Sequence, residues 1–319
     1  MTKNMYRDCL PQSLGEVMLT DGGLETTLIF DHGLDLPEFA AFPLIASTEG
    51  RAALDDYYRS YVNVALQHRV GIVLETPTWR ASADWGDILG FDADDLRRLN
   101  SATVEFLQQL RADTESADTK IVVSGSLGPR GDGYVAGDQM SVDDAETYHR
   151  EQIRTFANAG ADMVSIITMT YAEEAIGAAF AAQAEGMPIV IAFTVETDGR
   201  LPSGEGLREV VERVDLATGG YPVSLGVNCA HPDHFSTALA DGGDWLGRVG
   251  LIRANASRMS HEELDNAEEL DAGDARELGR LYADLRDMLP GLRVMGGCCG
   301  TDDNHIAEIA RNCVGVRTS

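Results

Sequence analysis

Short apolar runs alternate with longer amphipathic segments along nearly the whole chain. Eight runs rich in Val, Ile and Leu predict β-strands, at residues 17–20, 71–75, 121–125, 162–167, 188–195, 222–227, 249–253 and 292–295. A strand followed by a helical segment, repeated in this way, is typical of βαβ units, whose strands run parallel. The pattern therefore indicates a parallel sheet covered by helices.

The segments between these runs carry apolar residues at helical spacing. In the first of them, Leu54, Tyr58, Tyr61 and Ala65 recur every three or four positions and would line one face of a helix. Helices are predicted on this basis at residues 48–67, 93–111, 141–158, 171–185, 204–217, 232–240, 274–288 and 303–312. About one helix therefore follows each strand.

Eight strands and about eight helices in 319 residues predict an α/β fold, a single closed (β/α)8 barrel of the TIM type. We expect one domain over residues 1–319. A doubly wound open sheet is the alternative, but it would need two domains, and no Pro-, Gly- or Ser-rich linker marks a boundary. No run of about 18 apolar residues predicts a membrane-spanning helix, and we expect no secretory signal.

The composition of the chain disfavours several classes of partner and of reaction. The formal net charge is −27 and the basic residues do not cluster, so we expect neither a nucleic acid nor an anionic membrane as a partner. This acidity favours solubility, and it would also attract cationic small molecules.

Lys3 and Lys120 are the only lysines, which disfavours Schiff-base chemistry. The five cysteines, an odd number, favour a reducing compartment, the cytoplasm, over a disulfide framework.

Glycine-rich and polar motifs follow five of the predicted strands. They occupy residues 21–23, 75–78, 125–129, 226–229 and 296–300. In a barrel the carboxyl ends of all strands lie on one face, where the loops build the active site. We therefore expect these five segments, remote in sequence, to form one pocket.

Three cysteines fall within these motifs, namely Cys229 after the sixth strand and Cys298 and Cys299 after the eighth. Adjacent side chains on a strand point to opposite faces, so both members of the pair can reach one metal only if the backbone bends, as flanking glycines permit. Three thiolates with one open position is the ligand count of a catalytic zinc site. Two alternatives remain: cysteines buried as small apolar residues, and a strained Cys298–Cys299 disulfide.

Taken together, the motifs resemble those of the homocysteine S-methyltransferase family of zinc barrels. The resemblance is carried by residues 21–24, 125–129, 226–229 and 296–301, which read DGGL, GSLGP, GVNC and GGCCGT. It implies a (β/α)8 fold and Zn²⁺ held by Cys229, Cys298 and Cys299. It also implies methyl transfer from a small sulfonium or ammonium donor, of the S-methylmethionine, S-adenosylmethionine or betaine type, to homocysteine or a similar thiol, with methionine or another thioether as product.

The same resemblance implies roles around the substrate. Asp21 would bind the homocysteine ammonium group, and Gly22 and Gly23 would let backbone amides approach its carboxylate. Asn228 would orient the loop that carries Cys229. Thr76, at the end of the second strand, is a further candidate for substrate binding.

Two positions depart from the family pattern. Ile167 stands where family members usually carry a glutamate that also binds the amine, and Arg253 begins a stretch that usually reads Tyr-Pro-Asn. We therefore predict that Glu25 or Glu75 supplies the missing carboxylate. The alternatives are that Glu25 is a solvated loop residue and that the substrate is a thiol other than homocysteine.

Two other functions remain open at this stage. One is methyl transfer with a separate corrinoid or folate protein, and the other is a zinc barrel that binds a metabolite without catalysis. The expected partners are a small-molecule thiol and a methyl donor, and a homo-oligomer is compatible with the sequence.

Overall fold

Eight parallel strands form a closed barrel in the computed structural model, which describes residues 4–240, 242–267 and 269–314. Each strand pairs with the next one in sequence, and the last pairs with the first. The strands are β1 (Met18–Leu19), β2 (Gly71–Glu75), β3 (Ile121–Leu127), β4 (Met163–Met169), β5 (Ile189–Phe193), β6 (Ser224–Asn228), β7 (Val249–Ala254) and β8 (Val294–Gly297). All eight overlap the predicted strands, so the predicted barrel is confirmed.

One helix follows each strand and covers the outside of the barrel. These helices are α1 (Thr48–His68), α2 (Ala93–Thr114), α3 (Val142–Ala159), α4 (Ala172–Ala184), α5 (Leu207–Thr218), α6 (Pro232–Ala240), α7 (Ala275–Met288) and α8 (Asp303–Cys313). Each overlaps a predicted helix. Three short helices, Leu24–Thr26, Ala83–Leu89 and His261–Asp265, were not predicted and lie in the loops after β1, β2 and β7.

The barrel strands are covered on both sides, which explains why they read as almost continuous apolar runs. Every residue of β2, β3, β4 and β5 is buried. A smaller apolar cluster that includes Met18, Val73, Val122, Met163 and Leu251 fills the barrel interior. The larger cluster lies between the strands and the helices.

Gly125 has a packing role in this fold. A Cβ atom at Gly125, in the middle of β3, would overlap the ring of Phe156 on α3. The glycine therefore lets a helix approach the sheet closely, and its presence in the GSLGP motif needs no catalytic explanation. No helix within the described ranges has both the length and the apolar character needed to cross a bilayer.

Candidate functional site

The carboxyl ends of β6 and β8 bring Cys229, Cys298 and Cys299 together. Their sulfur atoms lie within 4.8 Å of one another, with Cys229 Sγ 2.7 Å from that of Cys298 and 3.7 Å from that of Cys299. All five cysteines are free, so Cys298 and Cys299 form no disulfide. Within the described ranges no other group of three His, Cys, Asp or Glu side chains has a comparable geometry. Three sulfur donors this close suit one soft metal ion with a coordination position left open.

The backbone at both strand ends is bent to make this cluster. Cys229 has φ of 53°, in the left-handed region that residues with a side chain seldom adopt. A Cβ atom at Gly297 would overlap the hydroxyl of Thr301, which donates a 2.7 Å hydrogen bond to the carbonyl oxygen of Cys298. The glycine therefore permits the tight turn in which adjacent cysteines approach the same point.

The three thiols share their protons unequally. Hydrogen bonds from Cys229 and Cys299 hold the pKa of Cys298 well below its usual range, and the nearby positive charge of Arg253 acts in the same direction. The hydrogen bond with Cys298 raises the pKa of Cys229, and the hydrogen bonds with Cys229 and Cys298 raise that of Cys299. Cys298 is therefore the thiol of the cluster that loses its proton most readily.

Asn228, the last residue of β6, links the turn at Cys229 to Thr168 on β4, two strands away in the barrel. Its Oδ1 accepts a 2.7 Å hydrogen bond from the backbone N–H of Thr168, and its Nδ2 donates a 2.9 Å bond to the Thr168 hydroxyl. Thr168 has φ of 64°, next to the register shift between β4 and β5. Such strain persists only where the surroundings hold it in place. The orienting role of Asn228 stays a prediction, and these two bonds to Thr168 are the contacts through which it would act.

His261, to which sequence analysis gave no role, also contacts this turn. Its Nε2 lies 2.7 Å from the carbonyl oxygen of Cys229, and its Nδ1 lies 3.0 Å from Glu196 Oε1. The short helix that carries His261 is not predicted from the sequence, because five residues show no helical periodicity. The turn at Cys229 is therefore supported from two sides, by Asn228 and by His261.

Asp21 and Gly22 lie at the floor of an inner cavity beside the cysteines, but they already have protein partners. Asp21 Oδ1 is 2.7 Å from Nη2 of Arg253, and Oδ2 accepts a 3.0 Å hydrogen bond from the Tyr57 hydroxyl. The carbonyl oxygen of Gly22 accepts bonds from Tyr57 and Arg253, and the N–H of Gly23 donates to Thr301. Burial raises the pKa of Asp21, while Arg253 and Tyr57 oppose that rise.

Glu75 and Glu25 also line the inner cavity, and neither faces a cation at hydrogen-bond distance within the described ranges. Oε1 of Glu75 accepts a 2.8 Å hydrogen bond from Ser165, whereas the buried Oε2 has no partner. Burial raises the pKa of Glu25 to about 7 and also raises that of Glu75. The structure thus brings both predicted carboxylates to the cavity.

Thr76 and Ile167 complete the wall on this side. The Thr76 hydroxyl accepts a 2.9 Å hydrogen bond from the N–H of Ser126 and lies 2.6 Å from that of Thr78. Ile167 lines the cavity with an apolar side chain that is 9% exposed.

A second, outer cavity adjoins the first. Phe39, Trp79, Tyr134 and Cys299 line both cavities. The outer wall is strongly acidic, with carboxylates of Asp132, Asp265, Glu269 and Asp271. Ligands in the two cavities would therefore meet beside the sulfur cluster.

Tyr134 stands at this junction and was not predicted from the sequence. Its hydroxyl lies 3.3 Å from Cys229 Sγ and 3.9 Å from Cys299 Sγ, and its ring packs on His261 with 4.4 Å between centroids. Burial raises the pKa of Tyr134 well above its usual value. The available signal was its position in the Gly-rich loop after β3, a strand whose end was already assigned to the pocket.

Comparison with known proteins agrees with this geometry. The family model described as homocysteine S-methyltransferase matches residues 18–313. A curated Homocysteine S-methyltransferase from Escherichia coli is 27% identical to this chain, covering 92% of the chain and 94% of the relative. A Selenocysteine Se-methyltransferase from Brassica oleracea var. italica is 23% identical, covering 97% of the chain and 92% of the relative.

Among solved structures, the metallated form of the homocysteine methyltransferase MmuM from Escherichia coli superposes with a TM-score of 0.73. The identity is 22%, and the match covers 93% of this chain and 96% of that one, which shows a shared fold. The family match confirms the predicted enzyme class, an S-methyltransferase. With a family model that spans almost the entire barrel, this chain belongs to the homocysteine S-methyltransferase family.

Proposed function

We propose that this enzyme transfers a methyl group from a small sulfonium or ammonium donor to homocysteine or a similar amino thiol, with Zn²⁺ held by Cys229, Cys298 and Cys299. The observation that carries the proposal is the meeting of two cavities at three clustered sulfur atoms. A two-substrate transfer needs both reactants beside the same point. Holding both reactants there lowers the activation free energy of the transfer, because their translational freedom is already lost when they bind.

The donor set supports zinc as the metal. Thiolate ligands are soft and favour Zn²⁺ over Mg²⁺ or Ca²⁺, and three ligands rather than four are typical of a catalytic site. When bound, zinc supplies the positive charge that keeps a substrate thiol ionised at neutral pH. Asn228 and His261 hold the Cys229 turn in place, so the ligands need little rearrangement.

The inner cavity suits the amino group of the thiol. Arg253 already compensates the charge of Asp21, whereas Glu75 Oε2 is buried without a partner and Glu25 faces the same space. A substrate ammonium group would give these two carboxylates the counter-charge that the protein does not provide. We therefore assign ammonium recognition mainly to Glu75 and Glu25, with Asp21 as a compensated neighbour, and place Ile167 against the substrate methylenes.

The outer cavity suits a cationic methyl donor. Its acidic residues attract positive charge, and the aromatic faces of Phe39, Trp79 and Tyr134 stabilise sulfonium or quaternary ammonium groups by cation–π contact. These rings also exclude water from the junction of the cavities. A donor methyl group at that junction would face a thiol held in the inner cavity.

We place the reaction in the cytoplasm, because all five cysteines are free and reducing compartments preserve thiols. The same proposal treats residues 1–319 as one functional domain that acts on two small molecules.

A matrix of donors and thiols tests the proposal. Zinc-loaded protein is incubated with S-methylmethionine, S-adenosylmethionine or betaine, each with homocysteine, selenocysteine or cysteine, and products are quantified by mass spectrometry. We expect at least one sulfonium or ammonium donor to methylate homocysteine or selenocysteine. Full zinc binding without turnover for any pair would instead support a non-catalytic metabolite-binding barrel. Turnover only with an added methylcorrinoid or methylfolate protein would support the other alternative.

A further inference from the structure

Arg80 lies on the wall of the outer cavity, held by two tryptophans. Its guanidinium carbon is 3.7 Å from the centroid of the Trp85 ring and 4.4 Å from that of Trp79. Trp79 also lines the junction with the inner cavity, so Arg80 follows directly after a residue that borders the sulfur cluster. Contact with both rings restrains the guanidinium, whose N–H groups lie in its own plane.

Arg80 has no counter-ion in the part of the chain that the structure describes. No carboxylate lies within 4.0 Å of it, no protein acceptor is bonded to its nitrogens, and Nε is buried without a partner. This is unusual in a chain with 52 acidic and 25 basic residues. Burial lowers the pKa of Arg80, although the negative charge of Asp132 opposes this, so the protein compensates the cation incompletely.

A purely structural role would explain why Arg80 packs on two tryptophans, but not why its N–H groups lack a protein acceptor. Arginine forms its strongest contacts through paired N–H groups to a carboxylate or phosphate, and those of Arg80 have no acceptor in the described part of the chain. The same cavity carries Asp132 and Asp265, and burial together with Asp132 raises the pKa of Asp265. The cavity therefore presents one unpaired cation and several unpaired anions to the same ligand.

We propose that Arg80 binds the carboxylate of the methyl donor. The donor on this proposal is a molecule that carries both a carboxylate and a positively charged methyl-bearing group. Its carboxylate lies at Arg80, its positive charge faces the acidic wall that includes Asp132 and Asp265, and its methyl group reaches the junction at Cys299. This inference rests on the proposed function and narrows it, because sulfonium or ammonium donors without a carboxylate become poor substrates. It also gives Arg80 a role in selecting the methyl donor.

The test compares S-methylmethionine with its methyl ester, which keeps the sulfonium and removes the negative charge. With wild-type enzyme and homocysteine, we expect kcat/KM to be about tenfold or more higher for the acid, as expected for a charged bidentate contact. In Arg80→Met the value for the acid should fall to that for the ester, while the ester value changes less than about twofold. Arg80→Lys keeps the positive charge but not the paired N–H groups, so it should retain part of the preference for the acid over the ester.

Arg130→Gln is the matched control, since it removes one positive charge from the loop after β3 but not from the outer cavity. Its acid-to-ester ratio should equal that of the wild type. If Arg80→Met leaves the ratio unchanged, the assignment of the carboxylate is wrong. If instead Arg80→Met raises KM for homocysteine and not for the donor, Arg80 serves the thiol, and the proposal is equally overturned.

A binding measurement separates this inference from the proposed reaction. Trp79 and Trp85 report on Arg80, so S-methylmethionine should change the tryptophan fluorescence of the wild type, and its methyl ester and Arg80→Met should each weaken that titration about tenfold. Arg80-dependent binding without methyl transfer would support the carboxylate site and reject the proposed reaction. Methyl transfer with equal preference for acid and ester would support the reaction and reject the site.

Discussion

Asp21 and Arg253, 232 residues apart in the chain, form an ion pair at the floor of the inner cavity, with 2.7 Å between Oδ1 and Nη2. The two side chains are only 3% and 6% exposed. Arg253 also donates to the carbonyl oxygen of Gly297, so the pair joins the ends of β1, β7 and β8 just below the cysteines. Its charges compensate each other, which leaves Glu75 and Glu25 as the unpaired carboxylates of the cavity.

Replacing one member of this pair should be costly. Arg253→Met leaves Asp21 buried without its cation, and we expect the free energy of unfolding to fall by about 3–5 kcal/mol. In Asp21→Asn/Arg253→Met both charges are gone, so most of that loss should be recovered. Urea unfolding at pH 7 measures both variants.

The control is the exposed pair of Arg258 and Asp233, whose side chains are 49% and 46% exposed. Arg258→Met should cost less than about 1 kcal/mol, because solvent screens such pairs. A similar cost for Arg253→Met and Arg258→Met would contradict the importance of the buried pair.

Cys298 is expected to be required for metal binding. Cys298→Ala removes the sulfur with the lowered pKa, so zinc content should fall from about one equivalent to near zero and methyl transfer should be lost with it. Elemental analysis of the purified variant, run beside the activity assay, checks both. Cys9→Ala changes an exposed cysteine and should keep metal and activity. A full zinc equivalent in Cys298→Ala would remove this residue from the ligand set.

Metal removal should abolish turnover without unfolding the barrel. The core lies between the strands and the outer helices and contains none of the three metal-site cysteines. Chelation should therefore leave the far-ultraviolet circular dichroism spectrum unchanged, and zinc should restore activity. Cooperative loss of helical signal on chelation would identify a structural rather than a catalytic metal.

Much of the fold follows from sequence because strands buried on both faces produce uninterrupted apolar runs. β2 is predicted with the bounds that the structure gives, and the predicted start of α3 at residue 141 is one residue before its observed start at Val142. The three short helices in the loops were missed, since three to seven residues give too little periodicity to detect. Two of them, Leu24–Thr26 and His261–Asp265, carry residues of the site.

The site was predicted where it depends on local motifs and missed where it depends on long-range contacts. Glycines around Cys298 indicate the bend that the structure contains. The sequence marked Arg253 as a departure from the family pattern, but nothing in its spacing revealed that Asp21 is its partner. Tyr134 was missed for the same reason, because its contact with Cys229 spans 95 residues and two loops.

Glu25 should make stability depend on pH. Burial raises its pKa to about 7 from an ordinary value of 4.5, so the unfolded chain loses this proton at lower pH than the native protein does. The native state therefore loses no stability from this group below pH about 4.5, loses progressively more up to pH about 7, and has lost on the order of 3 kcal/mol above that. Glu25→Gln should match the wild type at pH 4 and be more stable by about that amount at pH 8.

Denaturant titrations at both pH values measure this difference. Glu105→Gln, at an exposed position of α2, is the matched control. If Glu25→Gln also leaves homocysteine affinity unchanged, Glu25 does not bind the substrate ammonium group and Glu75 alone remains for that role.

Asn228 should couple stability to metal affinity. Asn228→Ala removes both hydrogen bonds to Thr168 and leaves its buried N–H without an acceptor, so we expect a loss of about 2–3 kcal/mol in unfolding free energy. Because Thr168 and Cys229 both hold left-handed conformations on either side of this amide, zinc affinity should also fall about 10–100-fold, as for other residues that orient metal ligands.

The matched variant is Asn100→Ala, which removes a buried amide that donates to Ala81 and Leu96 and accepts from Gln152, away from the cysteines. It should lose comparable stability and keep its zinc affinity. Competition with a chromophoric chelator measures that affinity while the protein remains folded. Equal zinc affinity in both variants would mean that the Cys229 turn holds its shape without Asn228, and that His261 and the flanking backbone suffice to orient the ligand.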